Sequence, residues 1–331
     1  MRSRRARLLL FALSVVIPLF ACALRAQDSV AVPPPPGQLV DIGGRRLHLI
    51  SRGSGGPTVV VENGSSSFSI DWTLVQERVS KLTRICTYDR AGFAWSDRGP
   101  VENTVEETVD DLHQLLRAAK VPGPYVLVGH SMGGMFVRAY QRRHPEDVVG
   151  LVLVDATPEE DLEYLWHGKS TAGVFLSHDA LDSLYAPLIR NPPARAELPT
   201  EVGEPFDRLP PELQRSRLWA QRQFLSRIDM SISWVDAESW RQEFVALRKL
   251  RLASPHALGD LPLVVLRRGL RTNDQLDRRE AELVALSSAG HLIVASKSDH
   301  QIHLYEPDLV ADAIREVVEK ARSSHRVRAA R

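Results

Sequence analysis

The sequence predicts an α/β protein with a mostly parallel central sheet flanked by helices. A helical cap is expected to be inserted after the strand at 148–154. Three observations carry this expectation. Short apolar runs at 58–62, 83–88, 125–128 and 148–154 alternate with helix-like stretches. The runs are mostly apolar rather than alternating, as strands covered on both faces are. The alternation stops at Ala156 and resumes at Leu261.

Taken in order, the chain begins with Arg2, Arg4, Arg5 and Arg7, followed by an apolar run from Leu8 to Leu24 and small residues up to Ala26. This reads as an export signal over 1–26, cleaved after Ala26, so the body is expected to be periplasmic or secreted. A retained N-terminal membrane anchor is the alternative, because the run is near the lower length for crossing a bilayer. Lipidation at Cys22 is a third reading. Residues 27–37 contain Pro33 to Pro36 and read as a proline-rich linker.

Gln38 to Arg52 alternates apolar and polar residues around Gly43-Gly44, a hairpin pattern. The strand at 58–62 runs into Asn63-Gly64-Ser65. A helix over 72–81 leads to the strand at 83–88. In 104–120, apolar residues at 105, 109, 112, 115, 116 and 119 keep the helical period. The strand at 125–128 enters a helix over 132–144, which Pro145 stops. The core is expected over 38–155 and 261–322, with the cap over 156–260. Helices near 159–166, 211–228 and 236–252 make up that cap. A strand at 261–266, a helix at 274–286, a strand at 291–295 and a helix at 307–321 complete the core. Residues 323–331 read as a basic, disordered tail.

Apolar residues are 44% and charged residues 25% of the 331, and the formal charge is +1. Residues 1–26 hold five Arg and no acid, so the remainder carries 37 basic and 41 acidic residues. A mildly acidic body argues against a nucleic-acid partner. Two cysteines, Cys22 and Cys86, exclude a disulfide scaffold and a cysteine-based metal site.

The strongest chemical signal is Gly129-His130-Ser131-Met132-Gly133-Gly134, between a strand and a helix. This is a nucleophile elbow in its required context. The turn is so sharp that the residues two positions either side of Ser131 must lack side chains, hence Gly129 and Gly133, and the serine hydroxyl is raised above the carboxyl edge of the sheet. A serine needs a general base. His300, after the last strand, is the candidate, and His303 is its competitor. The imidazole in turn needs a carboxylate. Asp155 ends a strand and Asp274 follows one, and both keep the order serine, acid, histidine. The rigid strand end favours Asp155. Donors for a developing oxyanion are expected from the N–H of Met132 and from the turn at Gly64-Ser65.

At these residues the chain resembles the α/β-hydrolase superfamily, from about Gln38 to Ala321. It is similar to the capped group that includes epoxide hydrolases, haloperoxidase-like esterases and proline iminopeptidases. The resemblance rests on Tyr88-Asp89-Arg90-Ala91-Gly92-Phe93-Ala94-Trp95-Ser96, on the elbow, on Leu151 to Asp155, and on His300 to His303 followed by Pro307. It departs at three points. Asn63-Gly64 stands where His-Gly is common. Asp299 stands before the final histidine where Gly is usual, and its charge would favour a protonated His300. Gly269-Leu270-Arg271-Thr272 lacks the acid that many relatives carry there, which moves the acid to Asp155.

The resemblance implies an α/β-hydrolase fold and a serine hydrolase acting on a small-molecule ester, lactone or amide, with no metal or organic cofactor. Ser65 is assigned by position only. A serine at the elbow argues against epoxide hydrolase or dehalogenase chemistry, whose nucleophile is generally Asp. The alternatives are an iminopeptidase-type peptidase and a non-catalytic binding protein. The peptidase would need an amine-binding acid such as Glu160, Asp161 or Glu163. Trp166, Trp219, Trp234 and Trp240 either line an acyl pocket or glue cap to core. The sequence leaves the oligomeric state open.

Overall fold

A computed structural model describes residues 32–99, 104–159, 198–226, 237–272 and 274–329. The expected export signal lies outside these residues, as do most of the helix expected at 159–166 and the residues Glu160, Asp161, Glu163, Trp166 and Trp234.

Eight strands form one sheet: β1 (Gln38–Asp41), β2 (Arg46–Arg52), β3 (Thr58–Glu62), β4 (Ile85–Tyr88), β5 (Tyr125–His130), β6 (Val148–Val154), β7 (Leu263–Arg268) and β8 (Gly290–Ala295). Their order is β1-β2-β4-β3-β5-β6-β7-β8. β2 pairs antiparallel with both β1 and β4, and among the described residues every other pair is parallel. The expected hairpin is β1–β2. Its turn is held by Asp41, whose Oδ1 accepts the N–H of Gly43 (2.8 Å) and of Gly44 (3.1 Å).

The helices are α1 (Thr73–Val79), α2 (Val105–Ala118), α3 (Gly133–Arg143), α4 (Pro211–Ser226), α5 (Ala237–Ala253), α6 (Asp274–Val284), α7 (Ile302–Tyr305) and α8 (Pro307–Ala329). α2 starts in a capping box: Thr104 Oγ1 accepts the Glu107 N–H at 3.0 Å, and Glu107 Oε2 accepts the Thr104 N–H at 3.1 Å. Successive strand residues point to opposite faces. Val126, Val128 and Val152 therefore pack on α1 and α8 through Val75, Ile314 and Val317. Leu127, Leu151 and Leu153 pack on the other side with Leu115, Tyr140 and Phe244. This two-faced burial explains why the strands read as largely apolar runs.

Between β6 and β7 the described residues include α4 and α5. Phe244 and Leu247 of α5 are buried in the core layer of α2 and α3. Arg142 of α3 makes a two-pronged bond to Glu243, at 3.2 and 2.7 Å. On α4, Trp219 packs on Trp95 with ring centres 5.1 Å apart. Arg217 lies 2.9 Å from Asp71, both side chains being buried. Removing one partner of such a pair costs about 3–5 kcal/mol, because the other charge stays buried. Trp219 thus joins this segment to the sheet domain. The Trp240 side chain lies outside the described part.

Two expectations need correction. β7 begins at Leu263, not 261, and extends to Arg268. Pro262 has no N–H to give the ladder, and its carbonyl instead accepts the Leu151 N–H at 2.9 Å. Residues 323–329, expected as a disordered tail, continue α8. Arg, Ala and Ser there are compatible with helix, and positive charge suits the negative end of the helix dipole.

Candidate active site

The elbow is built as its glycines require. Ser131 follows β5 with a φ of 53°, in the left-handed region. Its carbonyl accepts the N–H groups of Gly134 (3.0 Å) and Thr157 (2.9 Å), and its own N–H reaches the Val154 carbonyl at 3.1 Å. A Cβ at Gly129 would stand 2.6 Å from the Gly133 carbonyl oxygen and 2.7 Å from Gly134 Cα. A Cβ at Gly133 would meet the Asn63 carbonyl oxygen at 2.7 Å. Neither backbone neighbour can move aside. Among the described residues the Ser131 hydroxyl makes no hydrogen bond.

Two loops converge beside it. Asp155 leaves β6 with a φ of 42°, and its N–H donates to the Leu266 carbonyl at 2.7 Å. Its Oδ2 lies 2.5 Å from His300 Nδ1, and its Oδ1 accepts the Arg268 N–H at 3.2 Å. Burial alone would raise this carboxyl. The bond and charge of His300, with the nearby Arg268 guanidinium, overcome that and hold it below the usual carboxylate range. The loop that carries His300 is pinned from both sides. Ser298 Oγ donates to Glu306 Oε2 at 2.7 Å, and the Ser298 carbonyl accepts the N–H groups of Gly269 and Leu270.

His130, the residue before Ser131, joins the elbow to this loop. Its Nε2 donates to the His300 carbonyl at 2.9 Å. Burial, then the neighbouring His300 charge, push its pKa down to about 3, so it stays neutral. The bond spans 170 positions and has no periodic signature in the sequence.

The turn expected to supply an oxyanion donor lies against Ser131. A Cβ at Gly64 would stand 3.3 Å from Ser131 Cβ and 2.9 Å from His130 Nδ1. Ser65 is exposed. Among the described residues nothing engages the N–H of Ser65 or of Met132. Arg90 braces the turn from beneath. Its guanidinium donates to the carbonyls of Asn63 (2.6 Å), Gly64 (2.6 Å) and Ser65 (3.3 Å), and to Glu62 Oε1 (2.7 Å). Glu62 also accepts from the Tyr88 hydroxyl. The residues Tyr88 and Arg90 thus belong to the support of the site, a role that sequence reading did not assign them.

The other candidates lie elsewhere. His303 is fully buried and stacks on Trp72 at 4.4 Å, away from any carboxylate partner among the described residues. Asp274 is exposed at the start of α6, where its charge suits the helix dipole. Asp299, expected to act on His300 through its charge, faces Arg271 at 3.0 Å and Arg268 at 3.6 Å. One group of metal-ligand type, His113, His144 and Asp147, sits near the amino end of β6, the opposite end of the strand from Asp155. Its two imidazoles stack 4.1 Å apart and 7° from parallel. Ring lone pairs lie in the ring planes, so they run side by side rather than meet at one ion.

Known proteins place this architecture. The chain is 29% identical over 311 residues to "Probable transporter efuK" of Hormonema carpetanum, covering 85% of this chain and 42% of that one. It is 27% identical to the protein YqjL of Bacillus subtilis, covering 83% and 89% respectively. It therefore spans less than half the length of the first relative and most of the second. Among solved structures it superposes on a thermophilic esterase from Thermogutta terrifontis with a TM-score of 0.59, at 22% identity, covering 84% of this chain and 94% of that one. Residues 53–313 match the alpha/beta hydrolase family, and the chain, an eight-stranded hydrolase fold with a glycine-walled elbow, belongs to that family.

Proposed function

We propose that the protein is a serine hydrolase that cleaves a small carboxylic ester, lactone or amide through an acyl-enzyme on Ser131. The observation that supports this most is the Asp155–His300 contact of 2.5 Å, in a loop bonded to the residue before Ser131. In this reading His300 Nε2 takes the Ser131 proton as Oγ attacks the substrate carbonyl. Asp155 holds the Nδ1–H tautomer and stabilises the imidazolium. The N–H groups of Met132 and Ser65 receive the oxyanion; one such donor contributes about 3–4 kcal/mol to the transition state. His300 returns the proton to the leaving group. Water, deprotonated by the same imidazole, then releases the acid. Bonds between nucleophile and base are often long in resting enzymes and tighten when substrate binds.

Residues 156–260 act as the cap that selects the acyl group, and residues 1–26 direct export. Among the described residues no helix is long and apolar enough to cross a membrane. The test is a p-nitrophenyl ester series of increasing acyl length, run on the wild type, Ser131→Ala and His300→Ala. Loss of turnover in both variants across the series is expected. Turnover that survives either substitution overturns the reading.

A further inference from the structure

We infer that Arg268 is a positioning residue that fastens the strand end carrying Asp155 to the loop carrying His300, with Asp299 balancing its charge; this rests on the acid–base reading of that pair. Three contacts carry the inference. The backbone N–H of Arg268 donates to Asp155 Oδ1 at 3.2 Å. Its guanidinium Nη1 lies 3.6 Å from Asp155 Oδ2, the same oxygen that meets His300 Nδ1. The same Nη1 lies 3.6 Å from Asp299 Oδ1, which in turn accepts the backbone N–H of His300 at 2.9 Å. One side chain on β7 therefore reaches Asp155 directly and His300 through Asp299, although β7 supplies neither member of the pair.

The position has a chemical consequence. The end of β7 presents two cations, Arg267 and Arg268, side by side in sequence. Arg267 is taken up by Asp277. The cation of Arg268 opposes protonation of Asp155, so the proton drawn from Ser131 rests on the imidazole. Left alone, that cation would also oppose the imidazolium. Asp299, paired with Arg268 and Arg271, offsets this.

The other titratable groups around the pair are His130 at the end of β5, His303 on α7 and Glu280 on α6. Burial holds all three towards their neutral forms. The charges that bear on His300 are therefore Asp155, Arg268, Asp299 and, beyond it, Arg271.

The test is the pH dependence of kcat/KM for an ester substrate. Arg268→Met removes the cation and moves the acid limb to higher pH. Asp299→Asn keeps the acceptor for the His300 N–H but removes the anion, and moves the limb to lower pH. Each shift is expected at about 0.5–1 unit, below the usual effect of a close charge because Arg268 is 27% exposed. Arg268→Lys keeps the charge and leaves the limb in place.

Opposite shifts support the inference. Lower rates with an unmoved limb, or both limbs moving the same way, leave Arg268 a structural residue only. Should Arg268→Met fail to fold, Asp299→Asn alone decides by its sign. The underlying reading is checked apart: if His300→Ala keeps full ester turnover, the acid–base pair and this inference fall together. If His300→Ala is inactive and the limbs do not separate, only the inference falls.

Discussion

Replacing Asp155 by Asn tests the acid assignment most sharply, because the change is nearly isosteric and removes only a charge. In the native site Asp155 Oδ2 meets His300 Nδ1 at 2.5 Å, with both groups at least partly shielded from water. Two unit charges about 4 Å apart in an effective dielectric near 20 attract by about 4 kcal/mol. That attraction exists only once the imidazole is protonated, so it is largely absent from the ground state. Losing it costs about 10³ in kcat/KM, since each 1.4 kcal/mol is tenfold. An Asn amide turned towards Nδ1 would favour the wrong tautomer and raise the loss to about 10⁴. Asp274→Asn, exposed at the head of α6, should stay within about threefold, as surface changes there bear only on a helix end. The assay is steady-state hydrolysis of a p-nitrophenyl ester by both variants. A greater loss in Asp274→Asn, or an Asp155→Asn enzyme within tenfold of wild type, would refute the reasoning.

Three further outcomes follow from the packing. Gly133→Ala should lower stability by more than about 2 kcal/mol in urea unfolding, because its Cβ would press on the Asn63 carbonyl; an unchanged midpoint contradicts the close approach. Arg90→Met should cost about 3–5 kcal/mol by leaving the buried Glu62 without its cation, and should also lower kcat as the turn at 63–65 loosens; full stability with full kcat would show that the brace is idle. His130 binds its proton far more weakly folded, near pH 3, than unfolded, near 6.5. The stability it contributes is therefore complete above about pH 6.5 and is lost as pH falls towards 3. Between pH 6.5 and 4.5 that is about 2–3 kcal/mol, with buried His303 acting in the same direction. His130→Gln should show a correspondingly shallower fall in urea midpoint over that interval, and a slope equal to wild type would remove His130 as the cause.

What could be read from the sequence was whatever is local or periodic. The elbow is legible because its steric demand falls on residues two positions either side of Ser131, inside a strand–turn–helix pattern. Asp155 is legible because an acid at the end of an apolar run sits at a sheet edge. His300 follows from its place after the last strand. The supports are different in kind. Arg90 reaches the carbonyls of 63–65 only after β4 and β3 are side by side. His130 and Arg268 act across 170 and 113 positions, and no spacing rule marks them. The basic stretch at 323–329 looked like a tail because charge alone does not distinguish a solvated helix end from a frayed one.

The central claim is that Ser131 becomes covalently acylated with His300 as its base. Treatment with a fluorophosphonate at neutral pH, followed by peptide mass mapping, tests it directly. The expected result is one adduct, on the peptide containing Ser131, formed much more slowly in His300→Ala and absent in Ser131→Ala. A folded wild-type protein that remains unlabelled, or carries the adduct on another residue, would contradict it.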